Sequence, residues 1–343
     1  MEIERSPRRT INSAVLVLAV VVVIFAAAWS WWVYGEYRLT QRARLAGDLE
    51  SQMLEAGRLF AVERGYTNAF TNLAGAEGAA LQSQIGSLRR LADEAWERAY
   101  DTAQQLIELV PNSTILQNEL EDTRLIYWDI QNARQAVDAG AASHSLITHS
   151  VNWFRLLTGF IDHMTLLRNA AASLSNARSD DEALWILRGW LWLASEYAGQ
   201  ERARVAEYIA KREPIPKVLK DILVQRAETT EHLIAEFIDL STPYLNQDDE
   251  LVAANRQMLV EYLGRYTPLR QHILASQNGV YPLRVAEWLK RATTAIDTLH
   301  ATADALTARI DRGLDWNLRY RFWQLLIAAL LLVVTLVAVV IAV

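Results

Sequence analysis

The chain has 343 residues, a net charge of −6 with both signs interspersed, and no cysteine. Disulfides and thiolate chemistry are therefore excluded, and so weak and mixed a charge argues against a nucleic-acid partner. Hydrophobic residues make up 52% of the chain and are concentrated at its two ends.

A short tail, residues 1–12, carries Arg5, Arg8 and Arg9. After it, Ala14 to Val33 ("AVLVLAVVVVIFAAAWSWWV") is free of charge. About 20 such residues at roughly 1.5 Å each cross a hydrocarbon core of about 30 Å. Trp29, Trp31, Trp32 and Tyr34 sit at one end of the run, as in an interfacial belt. Residues 13–34 are read as a first transmembrane helix, and the arginines before it place the N-terminus in the cytoplasm by the positive-inside rule. A cleaved signal peptide is the rival reading, with Ala26-Ala27-Ala28 as its cleavage site. A second apolar run begins at Phe322 and Trp323 and lasts to Val343, so residues 321–343 are read as a second span. Residues 35–320 then form an extracytoplasmic, periplasmic domain.

Between the spans the composition is helical: Ala, Leu, Glu, Gln and Arg dominate, and the whole chain has only 7 prolines. Breaks are expected at Gly75 to Gly78, Pro111 to Ser113, Gly140 to Ser145, Ser179 to Asp181, Pro214 with Pro216, Ser241 to Asp249 and Gly279 to Pro282. Ser113 and Asp180 double as helix N-caps. The outcome is an all-α chain of about eight long helices, the first continuous with the first span and the last with the second, forming two four-helix bundles.

Two helices carry candidate chemistry. On the first, Leu45, Leu49, Met53, Ala56 and Phe60 hold one face. The next step of three or four lands on Glu63 or Arg64, within "FAVERGYTNAF", aiming a charge at the interior or, in the plainer reading of the spacing, setting a charge pair at a bundle edge with the arginine head in water. On the helix after Asp180 the stripe Leu184, Leu187, Leu191, Ala194, Ala198, Arg202, Val205 and Ile209 likewise takes in an arginine, again preceded by a glutamate, Glu201. Gly199, one turn earlier, leaves room for another helix or a ligand. A buried guanidinium needs a counter-charge, which Glu63 and Glu201 or a bound anion would supply. Thr67, Asn68 and Gln200 lie within a turn and can add neutral contacts.

"FAVERGYTNAF" followed by a small-residue turn, and "LASEYAGQERARVAEYI" further on, resemble the nitrate- and nitrite-sensing (NIT) domain. That family has a Glu-Arg-Gly motif on its first helix and a Gly-x-Glu-Arg motif on a later one. The resemblance covers residues 46–236. It implies a pair of four-helix bundles serving as the input module of chemoreceptors, sensor kinases and cyclases, which usually act as homodimers in the inner membrane. It also implies an anion held by one arginine from each motif, here Arg64 and Arg202. The expected ligand site comprises Arg64, Arg202, Glu63, Glu201, Thr67, Asn68, Gly199 and Gln200, for nitrate, nitrite or a small carboxylate.

Other polar residues point nowhere specific. The six histidines include no i,i+4 pair, and no metal or other cofactor is expected. Trp153, Phe154, Trp185, Trp190 and Trp192 read as packing. No phosphate loop or nucleophile–base pair argues for catalysis, so the chain is not expected to be an enzyme. Because it stops at Val343, within or at the end of the second span, it is expected to be part of a longer receptor. The alternative is a membrane-anchored interaction or scaffold protein, with its arginines in structural ion pairs.

Overall fold

The computed structural model describes residues 7–73, 75–143, 147–174, 179–245 and 248–342. Among them every regular element is helical: α1 (Pro7–Phe70), α2 (Gly75–Leu109), α3 (Thr114–Ser143), α4 (Ile147–Ala172), α5 (Ser179–Lys211), α6 (Lys217–Leu245), α7 (Asp249–Met258), a π-helical stretch (Leu259–Tyr266), α8 (Thr267–Ala275) and α9 (Val285–Ala342). Since α7, the π stretch and α8 form one rod, the described residues make eight helices, as the pattern predicts. The expected break at His144 and Ser145, and the side chain of Asp180, lie outside the described residues.

The chain divides into two units, and α1 and α9 contribute to both. The first unit comprises residues 1–44 and 311–343. In it α1 and α9 run antiparallel, tied by Arg44–Asp311 at 2.7 Å, Arg321–Glu36 at 3.2 Å and the rings of Tyr37 and Phe322. Each helix carries a window of high mean hydropathy, 2.2 and 2.0, of which only 6% is buried. Side chains such as Val17, Phe25, Leu330 and Val334 point outward, which an apolar helix does at low cost only in lipid. The two apolar terminal helices, with a helical domain between them, fit a membrane protein.

The second unit, residues 45–310, is a pair of four-helix bundles. In the first, α1, α2, α3 and α4 each contribute one ring to an aromatic knot. Phe60 meets Phe160 at 4.8 Å, and Trp96 meets Phe160 at 5.2 Å and Tyr127 at 5.5 Å. Edge-to-face pairs of this kind add about 0.5–1.5 kcal/mol each beyond their burial. In the second, α5, α6, the α7–π–α8 rod and α9 converge. Trp288 on α9 donates to the Arg202 carbonyl on α5 at 3.0 Å and stacks on Tyr266 at 5.7 Å, while Arg270 pairs with Glu231 on α6.

Local signals explain most element ends. Leu116 N–H points at Ser113 Oγ (3.5 Å), the expected cap of α3, and Asp248 caps α7 by accepting from Leu251 N–H at 3.2 Å. The break expected from Ser241 falls later, because α6 runs through Pro243 to Leu245. Pro243 takes an N–H out of the ladder and its ring crowds the Asp239 carbonyl, and α6 ends two residues on. Pro268 acts on the next rod. Lacking an N–H for the carbonyl four residues back, it follows a stretch in which Thr267 N–H reaches Tyr262 O, five residues back. Both buried tyrosines of this widened stretch, Tyr262 and Tyr266, face the bundle core. Gly279, at φ +70°, closes the loop before α9 against the α5–α6 loop, where a Cβ would lie 2.2 Å from Arg212 O.

Candidate functional site

The two bundles meet where α1 and α5 run parallel, and two rows of small residues let them approach closely. Gly57, Ala61 and Gly65 recur every four residues on α1, as do Ser195, Gly199 and Ala203 on α5. A Cβ on Gly65 would touch Ala203 Cβ at 3.8 Å, and one on Gly199 would touch Ala61 Cβ at 3.9 Å.

Both motif arginines lie in this seam and are buried, Arg64 at 0% and Arg202 at 1% exposure. The predicted stripes hold: Leu49, Met53, Ala56 and Phe60 on α1 and Leu184 through Ile209 on α5 are buried in the expected register. Arg64 crosses to α5, where its Nη1 and Nη2 donate to Glu196 Oε1 and Oε2 at 2.7 and 3.1 Å. Nη1 also donates to Thr158 on α4 at 2.9 Å. Arg202 reaches back to α1, donating to the Ala61 carbonyl at 2.8 Å, and to Thr293 on α9 at 2.8 Å. Among the described residues no carboxylate lies within ion-pair distance of Arg202. Burial and the neighbouring Arg64 charge push its pKa down to about 10. The Nε atoms of both arginines are buried without a hydrogen-bond partner. Arg64 thus holds a carboxylate in its fork, while Arg202 has only neutral acceptors at contact distance and feels the charge of Asp297 from beyond it.

The motif glutamates do not supply the missing counter-charge. Glu63 turns into the first bundle, where Arg134 grips it through two contacts of 2.9 and 2.7 Å and Arg89 adds a third at 3.1 Å. Arg134 and Arg89 are in turn held by Asp93 and Asp138. Burial pushes the Glu63 pKa up, against the pull of Arg134. Glu201 turns into the second bundle, accepts from Tyr266 O–H at 2.9 Å, and has Arg270 at 3.9 Å. Its burial raises the pKa to about 7. Each Glu-Arg pair therefore splits, the glutamate locking its own bundle and the arginine crossing to the other.

The remaining predicted residues are all buried in the seam. Gly199 lies under the guanidinium of Arg64, with 3.4 Å between Arg64 Nη2 and the position of a Cβ. Gln200 donates to Glu196 Oε1 at 2.7 Å and accepts from Arg226. Asn68 ties α1 to α5 further along, donating to Ala203 O at 3.0 Å and Glu207 Oε2 at 3.2 Å, away from the arginine pair. Thr67 Oγ1 is buried with no partner. Sequence reasoning missed Glu196, Thr158 and Thr293. Glu196 had a signal, since it stands one turn before Gln200 and two before Ala203 on the same row of α5. A cavity of about 10 Å³ adjoins Arg202, Glu196 and Gly199. That is about the room of one water molecule, so nitrate or any larger anion requires side chains to move.

Comparison with protein families decides what this pair of motifs is. Residues 58–311 match the family described as nitrate and nitrite sensing. The chain belongs to the NIT family. The match takes in Arg64, Arg202 and every helix of the second bundle, so the residues past Glu236 fall within the family's extent. No curated protein and no solved structure matches the chain. A NIT domain is a sensing input module of signalling receptors and not a catalytic family, and here it stands between two apolar helices that fit a membrane.

Proposed function

We propose that this chain is the ligand-sensing part of a bacterial receptor that holds nitrate or nitrite between Arg64 and Arg202. The observation that carries the reading is Arg202, a buried guanidinium beside Arg64 with no carboxylate at ion-pair distance, together with the two buried Nε–H groups without acceptors. Nitrate is planar with three equivalent oxygens, and the guanidinium fork offers coplanar donors to two of them. The Glu196 carboxylate occupies the Arg64 fork in the same bidentate manner. An arriving anion competes with it there and gives Arg202 a negative partner at contact distance. Gln200 and Gly199 take part as neighbours of the fork. Glu63 and Glu201 act as anchors that aim the two arginines, and Asn68 holds α1 against α5.

Release of Glu196 alters how α1 and α5 are fastened. Because α1 and α9 each extend into the apolar unit, a shift of a few kcal/mol at the seam can bias the spans between two arrangements. In the orientation set by Arg5, Arg8 and Arg9, the sensing domain is periplasmic, the membrane is the inner membrane, and two copies of the chain pair as a homodimer.

Isothermal titration of the full chain in lipid nanodiscs with nitrate, nitrite, formate and chloride tests the reading. Nitrate and nitrite are expected to bind, and Arg202→Met to abolish binding. Unchanged binding by Arg202→Met, or no binding and no thermal shift with any of the anions, overturns it. The bidentate Arg64–Glu196 pair favours a second reading, in which the arginines are structural and the chain is a scaffold. In that case Arg64→Met with Glu196→Leu leaves receptor output unchanged.

A further inference from the structure

The small cavity beside Arg202 shares one of its walls with a much larger cleft. A cleft of about 340 Å³ between α1, α5 and α9 is lined by Ser51, Glu55 and Asp304, and also by Arg58, Trp192 and His300. The last three side chains also line the 10 Å³ cavity at Arg202, Glu196 and Gly199. Two other clefts, of about 510 and 630 Å³, share no lining residue with that cavity. Arg58, Trp192 and His300 therefore form the partition between the larger cleft and the cavity at the buried arginines.

The partition differs in kind from the seam behind it. Its central piece is the Trp192 indole, laid across α1 at Gly57, where a Cβ would come within 2.4 Å of the ring. Its indole N–H makes a long bond to Thr165 Oγ1 at 3.4 Å, and the Arg168 guanidinium lies over its ring at 5.7 Å. His300 lies beside it, with ring centroids 6.3 Å apart. Arg58 pairs with Asp297 at 3.1 Å, both side chains being 39% exposed. A surface pair of this type is worth little and exchanges readily with water or a passing anion.

Resting on the reading of the arginine pair as an anion site, we infer that the anion reaches it through this partition, with Trp192 as the leaf that moves and Arg58 as the cation at its outer edge. Gly57 is the hinge-side clearance against which the indole rests. A bulky ring with a weak polar tie moves at lower cost than the helices on either side, which are pinned by Arg64–Glu196 and Arg202–Ala61. Arg58 is attached to Asp297, which itself lines the inner cavity, so that an anion drawing Arg58 outward loosens the partition from the inside as well.

The chain lacks cysteine, so one introduced thiol reports access to the cavity. Ser195 lines the inner cavity and is buried. In Ser195→Cys full-length protein in nanodiscs, the rate of modification by methyl methanethiosulfonate is measured with and without nitrate. Adding Trp192→Ala, or Trp192→Phe should that variant not fold, is expected to speed modification roughly tenfold, as removal of a gating side chain does. Leu269→Ala, in the unconnected 510 Å³ cleft, is expected to leave it unchanged. Equal rates with and without Trp192, or equal acceleration by Leu269→Ala, overturn the partition. Nitrate protection of the thiol supports site and route together. Acceleration by Trp192→Ala without nitrate protection upholds the route and overturns the anion reading alone.

Discussion

Arg64 and Arg202 each lie across the glycine of the other's motif. Arg202 Nε is 3.4 Å from where Gly65 would carry a Cβ, and Arg64 Nη2 stands at the same distance from that of Gly199. The glutamate next to each arginine points the opposite way, Glu63 to Arg134 and Glu201 to Tyr266. The two motifs are thus one reciprocal joint between bundles, and the joint concentrates positive charge at its centre.

The neutralising role of Glu196 sets up the first prediction. Glu196→Gln leaves two buried guanidinium groups with no carboxylate between them, and loss of one partner of such a pair typically costs about 3–5 kcal/mol. Thermal unfolding in anion-poor buffer should drop accordingly, and nitrate should restore more stability to the variant than it adds to the wild type. Equal nitrate shifts in both proteins count against competition between Glu196 and the ligand.

Glycine clearance along the seam is uneven, which separates two alanine variants. Gly57→Ala places a methyl within 2.4 Å of the Trp192 indole and must displace it from its packed position, and overpacking of this kind costs about 1–3 kcal/mol. Gly199→Ala meets only the movable end of Arg64 at 3.4 Å, and its better helix propensity offsets the contact. Chemical denaturation should find the first variant destabilised and the second near wild type, with Gly199→Ala weakened instead in anion affinity.

Glu201 gives stability a defined pH dependence. Its pKa is about 7 in the folded chain against an ordinary 4.5, so between those values the folded state holds a proton that the unfolded chain has released. This contribution to stability is complete below pH 4.5, is lost as pH rises through 7, and changes no further above it. Its size is on the order of 3 kcal/mol. Glu201→Gln keeps an acceptor for Tyr266 and should remove this slope, so variant and wild-type unfolding curves diverge from pH 4.5 to 7 and run parallel above.

The Glu63–Arg134 pair tests whether the glutamate of the first motif is an anchor. Arg134→Met alone leaves a buried carboxylate with only Arg89, whereas Glu63→Gln with Arg134→Met removes both charges. The double variant should recover most of the stability that the single one loses, giving a coupling of about 0.5–3 kcal/mol in a double-mutant cycle. Additive losses would mean that Glu63 is held by other groups.

What could be read along the chain was whatever repeats at a local period. The outward-facing apolar runs, the buried stripes of α1 and α5, and the inward aim of Arg64 and Arg202 follow from helical geometry and the cost of exposing or burying a side chain, and each needs only its near neighbours. The π stretch at Leu259–Tyr266 was hidden because Pro268 is harmless or disruptive according to which partner the freed carbonyls find. The pairing of charges was hidden for a deeper reason. Glu63 and Arg64 are adjacent in sequence, yet on a helix adjacent side chains diverge by about 100°, so they cannot face the same partner. Which of Arg134, Glu196 or Arg270 answers each charge depends on helices brought together from far along the chain. The sequence by itself determined that an arginine of each motif would fall on an apolar helix face. Only the packing of α1 against α5 on their small residues decided that the arginines face each other while the glutamates face away, because a buried charge is neutralised by what lies across the interface and not by what precedes it in the chain.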